Sequence, residues 1–170
     1  MVFFDIEEHQ ISTDRGANML AEIPKLGTQW KIIHEFKPTK YIQHGISVWR
    51  SGLVVKAGDP VHSRLVIAFK FPNISVFHHI YEGDDPFPPA AYTMSSTQLP
   101  KVGEWTKLEL SHEEVDGKYF LSFSVGGREV NRKEADPDLR KLTDVKISVG
   151  TLGEIQVQPG FVGKLIILEK

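Results

Sequence analysis

Several stretches of this chain set aromatic rings beside guanidinium and imidazole groups. Trp49 is followed by Arg50, His62-Ser63-Arg64 leads into a hydrophobic run, and His78-His79 and Phe87 with Tyr92 come after. A flat ring can lie against the apolar face of a pyranose, while neighbouring planar polar side chains meet the sugar hydroxyls. The candidate ligand-binding residues are therefore Trp49, Arg50, His62, Arg64, His79 and Tyr92, with Trp49, Arg64, His79 and Tyr92 at the centre of the group. Each also suits a structural position, Trp49 as a core ring above all.

Other chemistries find less support. Glu7-Glu8 and Glu113-Glu114 are adjacent pairs, which on a strand point to opposite faces and cannot share one glycosidic bond. Ser63 and Ser75 stand in no G-x-S-x-G elbow. His78 and His79 are neighbours and face apart on a strand, so a two-histidine metal site would need His34, His44 or His62 from elsewhere. The chain has no cysteine, which excludes disulfides, thiolate metal sites and a cysteine nucleophile. Calcium is the metal the residues best suit: Asp84-Asp85 stands in a long irregular segment, Asp59 in Gly58-Asp59-Pro60, and hard cations take oxygen ligands. No catalytic residue is assigned.

The elements that must position these groups are strands. Fifteen Val and fourteen Ile stand against seven Ala, and β-branched side chains fit a pleated, half-buried surface. Strands are expected over 30–36, 45–50, 52–56, 64–71, 75–81, 105–111, 118–125, 128–131, 145–149 and 161–168, with Ser51-Gly52 as a turn. Leu65, Ile67, Phe69 and Phe71 share one face of their strand, and Phe77, His79 and Tyr81 share one face of the next. Gly126-Gly127 is a two-residue hairpin signal. Pro137 limits 134–142 to a turn of helix at most. Between Glu82 and Pro100 the pattern breaks, because Pro86, Pro88 and Pro89 remove ladder donors. Trp105 is expected in the core. The phenylalanines of 69–77 could instead line a small-molecule cavity between sheets, but sandwich interiors fill with side chains.

Length and charge close off further classes. The 170 residues amount to one domain, 1–170, without repeats or linkers. No apolar run approaches a membrane span, and a net charge of −2 from 20 basic and 22 acidic side chains argues against a nucleic-acid surface. Met1–Glu8 lacks the features of a secretion signal, while Asn73-Ile74-Ser75 is a glycosylation sequon. An extracellular, secreted protein is expected, with Met1 as the start of a mature chain.

The second half carries a resemblance. Gly103-Glu104-Trp105-Thr106-Lys107-Leu108, then 117–130 with Gly126-Gly127, and Gly160-Phe161-Val162-Gly163 near the end are similar to motifs of the concanavalin A-like, laminin G-like jelly rolls. Trp30–Pro38 resembles an early strand of that superfamily. The galectin pattern H-x-N-P-R … W-G-x-E and the glucanase E-x-D-x-E are absent, so no site residue transfers. The resemblance implies an all-β jelly-roll sandwich of two antiparallel sheets. It further implies a non-catalytic, lectin-like recognition domain, binding a glycan on the concave sheet and the 82–100 loop, with calcium possible at Asp84 and Asp85. The alternative is a laminin G-like interaction or structural module that forms homo-oligomers through strand edges, the terminal 165–170 strand among them.

Overall fold

The computed structural model describes residues 2–4, 9–10, 18–42, 49–82, 88–150 and 156–170. Its strands are β1 (Val2–Phe4), β2 (His9–Gln10), β3 (Asn18–Leu26), β4 (Trp30–Pro38), β5 (Arg50–Gly58), β6 (Val61–Lys70) and β7 (Asn73–Ile80). They continue with β8 (Ala90–Ser96), β9 (Thr106–Val115), β10 (Lys118–Val125), β11 (Arg128–Glu134), β12 (Leu142–Val149), β13 (Gln156–Val157) and β14 (Gly160–Glu169). A 3-10 turn, Pro137–Arg140, is capped by Asp136, whose carboxylate accepts from the Asp138 amide.

Alternation explains the layers. Along β4, buried Trp30, Ile32, His34 and Phe36 alternate with half-buried Lys31, Ile33, Glu35 and Lys37, a period of two that presents one face to a core. The first sheet runs β1-β14-β4-β9-β10-β11, with β2 also on β14; the second runs β3-β12-β5-β6-β7-β8, with β13 on β5. All pairings are antiparallel except the two-residue β13–β5 contact. Ile32, Phe36, Leu110 and Phe123 of the first sheet meet Leu65, Ile67, Phe69 and Ile147 of the second in one buried cluster. This is the two-sheet antiparallel sandwich expected from the sequence. The hairpin at Gly126-Gly127 is present too, with φ of 62° and 82°, the left-handed pair a two-residue turn requires.

Five local expectations need correction. Ser51-Gly52 is no turn: β5 runs through it, with a register shift between Ser51 and Val54. Gly52 lies against the Phe69 ring, where a Cβ would come within 2.8 Å of Cε2. The segment beyond the prolines is not all loop, since Ala90–Ser96 forms β8, an edge strand of the second sheet. Phe71 leaves the core face and is 42% exposed in the turn after β6. Trp105 is not core but 41% exposed: it precedes β9, and its ring lies under the Lys37 ammonium at 5.0 Å. Finally, β14 is interior, paired to β4 along most of its length and to β1 and β2 on its other side, so it is not the free edge the oligomer alternative assumed. The edge β3 went unforeseen; its Pro24 interrupts the pattern, and prolines are tolerated at sheet edges. Of the expected 45–50 strand, residues 45–48 lie outside the described residues.

Candidate functional site

Because Leu65, Ile67 and Phe69 of β6 point into the core, Arg64, Val66, Ala68 and Lys70 point outward. Register then aligns outward side chains of the second sheet into rows. Lys146 of β12 stands opposite Lys56 of β5, Lys56 opposite Arg64 of β6, and Arg64 opposite His79 of β7. The next row is Ser148, Val54, Val66, Phe77 and Thr93. A third holds Ser51, Ala68, Ser75 and Ser95, in which the last two hydroxyls bond at 2.7 Å. An apolar row thus lies between a cationic row and a hydroxyl row.

Trp49 and Phe77 give this face its relief. The rings meet edge to face, with centroids 4.9 Å apart and planes at 87°, a favoured aromatic geometry. Lys70 Nζ lies 5.4 Å from the Trp49 ring centroid. Both rings pack on a small outer cluster of Val54, Val66 and Ala68. Trp49, Ser51, Arg64, Val66, Ala68, Phe77 and His79 line a cavity of about 190 Å³. Arg64 Nε and Ser51 Oγ are buried there without a partner among the described residues. His79 Nδ1 lies 3.0 Å from the Pro88 carbonyl and donates to it. Burial above all, and then the Arg64 charge, hold the His79 pKa below its ordinary value. The neutral ring, with Nδ1–H engaged, keeps Nε2 as an acceptor. The site therefore combines an aromatic wall, a guanidinium donor and an imidazole acceptor.

Three of the six sequence candidates, Trp49, Arg64 and His79, come together at this cavity. The other three are placed elsewhere. Arg50 bonds Gln156 across the β5–β13 seam, Nη2 to Oε1 at 2.7 Å. His62 turns to the 3-10 turn, with Nδ1 3.0 Å from Asp138 Oδ1. Tyr92 is on the inner side of β8, packed against the core, with its hydroxyl 2.8 Å from His78 Nδ1. His78 Nε2 in turn bonds Ser63 Oγ at 2.7 Å, and burial pushes the Tyr92 phenol up to about 12. Asp84 and Asp85 lie outside the described residues. Among the described residues no group of three metal-binding side chains converges, and Asp59 is exposed in the β5–β6 turn. Sequence reasoning missed Phe77, Lys56 and Lys146. Phe77 was already grouped with His79 by alternation, and a lysine inside an apolar strand marks an outward position, but strand order alone aligns them.

No family model matches the chain, and a search of curated proteins returns no sequence match. Solved structures do match in shape. The heptameric SAP-like pentraxin from Limulus polyphemus is 9% identical with a TM-score of 0.60, over 98% of this chain and 74% of that one. The carbohydrate recognition domain of Emp46p is 12% identical at a TM-score of 0.60, over 93% and 81%. Domain 4 of AbnA, an extracellular arabinanase from Geobacillus stearothermophilus, solved with arabinotriose, is 16% identical at 0.58, over 99% and 81%. Galectins and an endo-1,3-beta-glucanase share the shape as well. The fold is a concanavalin A-like jelly roll, common to lectin domains and to some glycan-cleaving enzymes. No helix among the described residues is long and apolar enough to cross a membrane.

Proposed function

We propose that the chain is a non-catalytic recognition domain that binds a glycan on the outer face of the second sheet. One observation carries this reading: Trp49 and Phe77 wall a cavity rimmed by Arg64, His79 and Ser51, with Arg64 Nε and Ser51 Oγ lacking partners among the described residues. An aromatic wall takes the apolar face of a pyranose, and buried unpartnered donors stand ready for its hydroxyls. Pro88, in the 82–100 segment, borders the site through its bond with His79. Lectin-type neighbours agree with the reading, and an extracellular setting is proposed along with it.

The test is a glycan array, run with calcium and again with a chelator. Saccharide-specific signal that Trp49→Ala and Arg64→Ala remove, at a thermal midpoint close to that of the parent, supports the proposal. A blank array in both conditions overturns it. Loss of signal with chelator alone would show that a metal takes part in binding, with Asp84 and Asp85 as the proposed ligands.

A second reading, a self-associating interaction module, rests on the opposite flank. There Ile23, Pro24, Leu26, Ile167 and Leu168 line a cavity of about 560 Å³ beside the edge strand β3. Light scattering that returns a fixed oligomer, together with indifference to saccharides, would favour it.

A further inference from the structure

The chain has a net charge of −2, yet Lys146, Lys56 and Arg64 stand in direct cross-strand register, with His79 extending the line at one end and Glu22 of β3 standing opposite Lys146 at the other. Like charges directly opposite on a sheet are destabilising. At about 4.8 Å between neighbouring strands, the row crosses about 14 Å of surface. Among the described residues, none of these three cations has a carboxylate within ion-pair distance. Burial lowers the Lys56 pKa, and Arg64 and Lys146 lower it further, so each cation works against the next. The row borders the Trp49–Phe77 wall, because Arg64 and His79 belong to both. Lys70 Nζ over Trp49 adds positive charge on the wall's other side.

Resting on the glycan reading above, we propose that the ligand is an acidic saccharide, its ring against Trp49 and Phe77 and its carboxylate or sulfate groups along Lys146, Lys56 and Arg64. An anion laid on the row offsets the mutual repulsion that the folded chain otherwise bears. Arg64 presents a planar fork to one anionic group, and the two lysines serve as point charges for others. A neutral saccharide satisfies the aromatic wall but leaves Lys56 and Arg64, whose cross-strand neighbours include no carboxylate, without an opposite charge.

Paired probes that differ only in charge test this. Calorimetry would compare a galacturonic-acid oligomer with its methyl ester, and a sulfated galactan with its desulfated form. The expected result is that at least one acidic member binds about tenfold more tightly than its neutral counterpart, with affinity that falls as salt rises. Lys56→Thr with Lys146→Thr should erase that preference at an undiminished thermal midpoint, since threonine suits a strand and two like-charge contacts disappear. The galacturonate and galactan arms separate carboxylate from sulfate as the preferred group. Equal affinity within both pairs, or a double variant that keeps the preference, overturns the acidic-ligand inference and leaves the glycan reading standing. Failure of the parent to bind any of the four overturns the inference and, with a blank array, the glycan reading as well. Binding of inorganic polyphosphate as tightly as the acidic saccharide, unaffected by Trp49→Ala, also overturns both, since no sugar would then be recognised.

Discussion

Arg64 and His78 stand one strand apart on opposite faces of the second sheet, and the contrast separates binding from support. Arg64 faces outward with a buried Nε that finds no protein acceptor among the described residues. A donor left so costs on the order of 1–3 kcal/mol unless something else accepts from it. His78, 1% exposed, has both ring nitrogens engaged, by Ser63 and by Tyr92. A satisfied buried network specifies structure and has nothing left for a ligand. Tyr92→Phe should therefore lower stability by about 1–3 kcal/mol, because His78 Nδ1 loses its partner, while saccharide affinity stays unchanged. Urea unfolding and calorimetry on the same variant check this; a large loss of affinity with intact stability would return Tyr92 to the binding face. Arg64→Ala is expected to show the reverse, with affinity lost and stability kept.

At the scale of the strand, β5 shows what positions Trp49. Gly52 sits at a register shift, with the Phe69 ring where a side chain would start and the Ile67 carbonyl 3.3 Å from the same point. Its lack of a Cβ lets β5 pass over Phe69, carrying Trp49 and Ser51 to the outer face. Gly52→Val should force the two apart at a cost of about 1–3 kcal/mol and weaken saccharide binding by displacing Trp49. A variant of parental midpoint and affinity would show that Phe69 yields freely. The same stretch shows the limits of reading the sequence. Gly52 beside Ser51 has the composition of a turn, and only the partner strand shows that the glycine answers a ring rather than a bend. Period-two alternation made β4, β6, β7 and the β10–β11 hairpin legible, and it put Phe77 and His79 on one face. It also gave Trp49, Arg64 and His79 as candidates on residue type. The long-range register was not legible: Lys56 and Lys146 are ninety residues apart, and their alignment with Arg64 depends on β12 and β6 both pairing β5. Nor was the inner side of β8, because three prolines just upstream hid Tyr92's strand.

For the molecule as a whole, the buried histidines set a pH limit. His34 and His78 are 2% and 1% exposed, and burial lowers both from about 6.5 to about 4. His79 and His112 are lowered as well, burial again the largest cause. In all four the folded chain refuses a proton that the unfolded chain accepts. Between the two pKa values the unfolded state binds more protons, so stability rises with pH across that window. Their contribution is complete above about pH 6.5, is lost progressively as pH falls toward 4, and changes little below that. A shift of that size corresponds to about 3 kcal/mol for each of His34 and His78. The pair alone would then remove about 6 kcal/mol, comparable to the whole margin of a marginally stable domain. Urea midpoints measured from pH 7.5 to 4.5 should fall steeply below 6.5. His34→Leu should remove roughly half of the share that His34 and His78 contribute to that fall, since leucine fills similar space, binds no proton and leaves no orphan in place of His34 Nδ1. A midpoint that holds level to pH 5 in the parent would mean that His34 and His78 take up protons in the folded state, against their enclosure between the sheets.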